Sequence, residues 1–102
     1  MFARFVVQDT SMQPALWPGD RLIAARWLQP RAGDVVVSRD PEHSLLFIAK
    51  RVSHLLPNGD VFLVGDNPNV SRDSRLFGAV PRHLVVGRVV WRYLPPHRRG
   101  RV

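Results

Sequence analysis

Of the fifteen Lys and Arg side chains only one, Lys50, is a lysine. A guanidinium stays charged at any accessible pH, whereas an ammonium surrenders its proton readily once it is desolvated. Lys50 closes the apolar run Leu45-Leu46-Phe47-Ile48-Ala49, and on strand parity it shares a face with Leu46, Ile48 and Val52. Such a setting depresses the amine's pKa and leaves a neutral base. The competing reading is a lysine placed by chance, its ammonium snorkelling out of a core strand. Ser11 is the second group of interest. It stands where a strand stops and the chain turns, a junction that presents a hydroxyl and leaves backbone N–H groups without partners. Serine is a weak nucleophile until a base takes its proton, and a neutral lysine is one documented base. Ser11 before a short turn would serve equally well as a helix N-cap.

Other chemistries find little material. There are no cysteines, so disulfides, thiolate metal sites and thiol nucleophiles are excluded. His43, His54, His83 and His97 show no ligand spacing, and neither a metal nor an organic cofactor is expected. The formal charge of +7 would suit an acidic partner, but it is scattered apart from His97-Arg98-Arg99-Gly100-Arg101, which reads as a solvated, frayed end. A non-catalytic basic β-barrel binding nucleic acid is the reading from another class. Against it, Phe2, Phe5, Trp17, Trp27, Phe47, Phe62, Phe77, Trp91 and Tyr93 show no strand-face cluster for base stacking, so no nucleic-acid partner is expected. No apolar run approaches the roughly twenty residues of a membrane-crossing helix. The expected location is the cytoplasm, with a peripheral place at a membrane as the alternative.

The elements that must position Ser11 and Lys50 are strands. Phe2 to Gln8, Arg21 to Trp27, Asp34 to Arg39, Ser44 to Leu55, Val61 to Val64 and Leu84 to Tyr93 are rich in Val, Ile, Leu and aromatics. Pro-, Gly- and Asp-containing breakers separate them, and Asn58-Gly59 predicts a hairpin. Only Ser11 to Leu16 suggests a helical turn. Six short strands at this spacing predict a mainly β fold, a small antiparallel barrel or sandwich with short helical turns. Residues 1–94 read as one catalytic domain and 95–102 as a basic tail. The polar stretch from Gly65 to Arg75 is long for a loop in a small domain, which marks it as functional or disordered.

Four segments taken together resemble the boxes of type I signal peptidases, a superfamily of Ser-Lys proteases. Ser11-Met12-Gln13-Pro14-Ala15-Leu16 followed by Gly19-Asp20 is similar to the nucleophile box, Ser-Met-x-Pro-Thr-Leu then Gly-Asp. Gly33-Asp34-Val35-Val36-Val37 resembles a Gly-Asp-Ile-Val-Val strand, and Ile48-Ala49-Lys50-Arg51-Val52 the general-base box. Gly65-Asp66-Asn67, Ser71, Asp73-Ser74-Arg75, Gly78, Val80 and Pro81 match the last box, and Val85-Val86-Gly87-Arg88-Val89 its closing strand. The boxes keep the family's order and run from Val7 to about Val90.

The resemblance implies a serine endopeptidase acting on a precursor protein with an N-terminal leader. It implies Ser11 as nucleophile and Lys50 as general base, then as acid for the leaving amine. Ser71 falls where a hydroxyl hydrogen-bonds the catalytic amine, Asp73 and Arg75 match a supporting charged pair, and Asp66 and Asn67 open the same loop. Asp66, Arg72, Asp73 and Arg75 would otherwise be plain solvated loop charges. Val7, Met12, Leu16, Ile48 and Ala49 match the lining of a shallow apolar slot for a small residue such as Ala before the cut, and would serve as ordinary core too.

Three departures qualify the match. Ala15 replaces a usual Thr. Asp9 stands where family members carry Ser or Gly, the Ser being a donor to the oxyanion; an ionised Asp9 would repel that charge, so the oxyanion hole is expected to use the Ser11 backbone N–H and another donor. Gly65 follows Lys50 by only fifteen positions, with no inserted domain and no anchoring span expected. Compactness and Arg-rich character point to the branch that matures nickel-type superoxide dismutase. Processing of exported preproteins is the alternative. Self-cleaving repressors, also related, need a scissile Ala-Gly or Cys-Gly bond before the nucleophile, and Ala32-Gly33 lies after it.

Overall fold

In the computed structural model, which describes all 102 residues, six strands follow one another: β1 Phe2–Val6, β2 Arg21–Ala25, β3 Val35–Arg39, β4 Phe47–Leu55, β5 Val61–Val64 and β6 Val85–Leu94. One turn of helix, α1 Ser74–Phe77, lies between β5 and β6. The strands form a single sheet in the order β1-β2-β6-β3-β4-β5, and every neighbouring pair is antiparallel. The expected mainly β, antiparallel class holds. Edge strands β1 and β5 do not pair, so hydrogen bonds do not close the sheet into a barrel.

β3 explains how so small a chain builds a core. Val35, Val36, Val37 and Ser38 are all buried, the mark of a strand covered on both faces. Val35 and Val37 pack with Val7, Met12, Leu16, Leu22, Ala24, Ala49 and Val89 on one side. Val36 turns the other way, toward Val52, Val61, Leu63, Val80 and Val85. The period-2 alternation of side chains thus feeds two apolar clusters from one Val-Val-Val run. β4 contributes to both, through Ala49 and Val52, which fixes its register on β3 with Val36 opposite Lys50.

The predicted hairpin joins β4 to β5. Gly59 takes φ +90°, which a side chain would resist, and the Asn58 side chain accepts from the Asp60 N–H at 3.0 Å.

Two expectations are corrected. The C-terminal residues do not fray: Pro96–Arg98 forms a 3₁₀ turn, Gly100 bridges Arg92, and Arg98 Nη2 donates to buried Asp20 at 3.0 Å. Asp20 also accepts from Arg92 Nη1 (3.2 Å), so a buried carboxylate needing cations holds the basic tail down. The aromatics do gather. Phe2 meets Trp27 edge-on at 5.0 Å, and Phe2 and Trp91 share an exposed groove with Arg4 and Ile23. Antiparallel pairing, Arg4 opposite Ile23 and Ile23 opposite Trp91, builds that face from three strands far apart in sequence.

Candidate active site

Ser11 lies in the turn region after β1, not at the start of a helix, and the N-cap reading therefore has no helix to cap. The turn is short and tight: Gln13 N–H donates to the Thr10 carbonyl at 3.2 Å and Leu16 N–H to Met12 at 2.9 Å. Met12 and Leu16 anchor it by burying their side chains under the sheet, which leaves Ser11 facing β4. Across the gap, Lys50 Nζ lies 2.6 Å from Ser11 Oγ. Both residues are 3% exposed. The predicted pair therefore meets, out of water, from positions 39 residues apart.

Burial pulls the Lys50 amine below the ordinary lysine value of 10.5, because charging it there forfeits hydration. The negative charges of Asp9 and Asp73 oppose that shift and Arg75 reinforces it. Lys50 does not snorkel; its second contact is Ser71 Oγ, at 3.2 Å. Ser71 is in turn held by donating to Asp73 Oδ2 at 2.5 Å.

The stretch from Gly65 to Asp73 is an ordered loop pinned around these contacts. Asp73, 1% exposed, accepts from the Gly65 N–H (2.7 Å) and from Arg75 Nη2 (2.5 Å), and its side chain caps α1 by accepting from the Arg75 N–H. Burial alone would raise the Asp73 carboxyl, but the hydrogen bonds from Arg75, Ser71 and the backbone outweigh it and hold the group well below the usual carboxylate range. Asp66 is gripped by Arg51 in a two-pronged pair, Nε to Oδ1 at 2.8 Å and Nη2 to Oδ2 at 2.7 Å. Asn67 clamps the serine turn: its N–H donates to the Ser11 carbonyl (2.8 Å) and its side chain to the Thr10 carbonyl (3.1 Å). Asp66 and Asp73 are therefore not plain solvated charges, nor is Asn67 a plain solvated amide.

Gly65 permits the approach. A Cβ there would lie 2.2 Å from Ser71 Oγ and 2.7 Å from the Ser11 carbonyl oxygen, so no side chain fits.

Beside the pair a cleft opens, lined by Val7, Met12, Ile48 and Ala49 as expected, and also by Phe5 and Phe47. Leu16 is the exception. It is fully buried in the core and does not reach the cleft, because the turn after Ser11 points it inward. The sequence reading did not place Phe5 and Phe47 in the cleft, although Phe5 lies two residues from Val7 and Phe47 adjoins Ile48. Arg72 was also passed over as a loop charge. It reaches Glu42 at 2.6 Å and pairs with buried Asp40, tying the loop to the β3–β4 connection.

The expected oxyanion donor is engaged in this structure. The Ser11 backbone N–H is not free for an oxyanion: Asp9 Oδ1 accepts from it at 3.0 Å and from Ser11 Oγ at 2.8 Å.

An antiparallel sheet that brings a serine hydroxyl and a lysine amine together, buried, at the edge of an apolar cleft supplies the two groups that serine chemistry with a lysine base requires. The family is more specific. The model for signal peptidase, peptidase S26, matches residues 1–55 and 50–94, and the chain belongs to this family of serine peptidases. Among its relatives, the mitochondrial ATP-independent inner membrane protease subunit 1b of Arabidopsis thaliana is 36% identical, over 83% of this chain and 66% of its own length. Mitochondrial inner membrane protease subunit 1 of Schizosaccharomyces pombe is 34% identical over 91% of this chain and 76% of its own. Thylakoidal processing peptidase 1 of Arabidopsis thaliana is 35% identical over 76% of this chain, which spans only 25% of that relative. No helix here is long and apolar enough to cross a membrane.

Proposed function

We propose that this protein is a signal-peptidase-like endopeptidase that removes an N-terminal leader from precursor proteins, with Ser11 as nucleophile and Lys50 as general base. The observation that carries the reading is the 2.6 Å approach of Lys50 Nζ to Ser11 Oγ in a buried setting that favours the neutral amine.

The chemistry runs as follows. Ser11 Oγ attacks the scissile carbonyl carbon while its proton passes to the Lys50 lone pair. The tetrahedral oxyanion collapses, the C–N bond breaks, and Lys50 gives the proton to the departing amine, the new N-terminus of the mature protein. Water, deprotonated by Lys50, then attacks the Ser11 ester; the acyl C–Oγ bond breaks, Lys50 returns the proton to Ser11 Oγ, and the leader leaves as a carboxylic acid. Ser71 orients the amine through its hydroxyl, itself fixed by Asp73. The apolar cleft of Val7, Ile48 and Ala49 suits a small side chain on the acyl side of the bond.

On substrate, the relatives favour the alternative among the sequence expectations. Their names describe inner membrane proteases and thylakoidal processing peptidases, which supports preproteins handled at a membrane and action at a membrane surface. The narrower expectation of a nickel superoxide dismutase precursor draws on compactness and Arg-rich character, and the names of these relatives lend it no support. Incubation of wild type and Ser11→Ala with an exported preprotein in membranes and with a leader-bearing nickel dismutase precursor, read by mass spectrometry, separates the two. Cleavage of the preprotein alone is the expected result; equal processing of either substrate by Ser11→Ala overturns the nucleophile.

A further inference from the structure

A serine hydroxyl has one proton to give. In this structure Ser11 gives it to Asp9, because Oγ donates to Asp9 Oδ1 at 2.8 Å while Lys50 Nζ approaches the same Oγ from the other side at 2.6 Å. The same carboxylate oxygen takes the Ser11 backbone N–H at 3.0 Å. An acyl-transfer site needs both donors elsewhere: the hydroxyl proton must point at the base, and a backbone N–H next to the nucleophile is the natural donor to a developing oxyanion. One side-chain oxygen occupies both.

Resting on the peptidase reading above, we propose that Asp9 is a built-in latch on the nucleophile, which a substrate carbonyl must displace before Ser11 can react. Asp9 lies in the turn region outside any strand and is itself exposed, so its side chain can swing into water without disturbing the core. Once it leaves, the Ser11 N–H is open to the substrate's carbonyl oxygen and the Ser11 O–H can turn to the Lys50 lone pair. If it stayed, a carboxylate would sit beside the forming oxyanion, and two negative charges at such range oppose each other strongly. A purely local role is the alternative, since an Asp accepting the N–H two residues on is a common turn device. That role would not involve Oγ.

The two roles separate on rate, and a pH series shows how far the Asp9 charge reaches the base. The charged groups acting on Lys50 are Asp9 from the serine turn and Asp73 and Arg75 from the far side of the site. Asp9 favours the ammonium, so neutralising it lets the amine lose its proton at lower pH. That movement follows from the charge in either role; a turn device predicts a slower reaction as the serine turn loosens, and the latch a faster one.

The test compares wild type, Asp9→Asn and Asp9→Ser with p-nitrophenyl acetate as probe. The rate is the Ser11-dependent release of p-nitrophenolate, taken as the difference from Ser11→Ala, across a pH series. Both variants should react at least about tenfold faster near neutrality, since an oxyanion donor has been freed. Their rising pH limb should also lie below that of wild type. A Ser11-dependent wild-type rate that neither variant exceeds, or faster variants with an unmoved limb, overturns the latch and leaves the peptidase reading standing. No Ser11-dependent release in any form brings down the peptidase reading and the latch together.

Discussion

Ser71 Oγ lies 2.5 Å from Asp73 Oδ2 and 3.2 Å from Lys50 Nζ, so a single hydroxyl couples a buried carboxylate to a buried amine. Because its proton is committed to Asp73, Ser71 meets Lys50 through its oxygen lone pairs, which orients one N–H of the amine and leaves the amine's own lone pair for Ser11. Ser71→Ala removes this orientation and little volume. The expected result is a kcat lower by about tenfold to a hundredfold with KM nearly unchanged, since a misaimed base affects the transition state more than binding. Steady-state cleavage of a leader peptide checks it, and an equal fall in both parameters would argue for a lost binding contact instead.

Lys50 should tolerate loss of its nitrogen better than the reaction does. Methionine has a similar length and no proton to exchange, so Lys50→Met should fold with a cost below about 1.5 kcal/mol, or even a gain. Turnover should fall by about a thousandfold or more. Thermal melting alongside activity tests both halves.

Activity should rise with pH along a limb set by Lys50. Burial lowers that amine below its ordinary 10.5, and the neutral form is the active one, so the limb falls short of the value for a solvated lysine. The sign for stability is the same. Between the folded and unfolded pKa the unfolded chain binds the extra proton, so stability climbs with pH across that window. A pH–rate profile of kcat/KM gives the limb directly; one centred at or above 10.5 contradicts the buried base.

Asp73 carries a linkage of the same sign in the acid range. Its folded carboxyl lies below the ordinary 3.8, so its contribution is complete above that value and is lost as pH falls through the folded one. Asp73→Asn should cost about 1.5–3 kcal/mol at neutral pH through weakened charged hydrogen bonds. The gap between wild type and variant, measured by urea midpoints, should narrow from about pH 5 to about pH 2.5, whereas a constant gap would assign the loss to packing.

Gly65→Ala drives a methyl into Ser71 Oγ and the Ser11 carbonyl, so the loop and the serine turn must part. The expected stability cost is about 1–3 kcal/mol, with activity down by about a hundredfold. Urea unfolding and peptide cleavage on one preparation would reveal any variant in which the loop gives way without harm.

Much of this was legible before any fold. Strand positions come from local patterning, and all six predicted strands lie within a few residues of the observed ones, because alternation and breakers act over neighbours. The lone lysine in an apolar strand and the serine at a strand end could be picked out by residue type alone. Ordered boxes joined them into a family pattern covering most of the chain. Side-chain partnerships were a different matter. That Leu16 turns into the core rather than the cleft, that Arg98 folds the tail onto Asp20, and that Arg72 reaches Asp40 depend on where the sheet carries distant residues. Asp9 illustrates the limit most clearly: its type announced a charge near the nucleophile, but only the turn's backbone geometry decided that one oxygen would take both the N–H and the hydroxyl of Ser11. Patterning is a sum over near neighbours and survives in one dimension, whereas a hydrogen bond is set by ångström-scale distance and angle, which the chain acquires only when its strands settle into register.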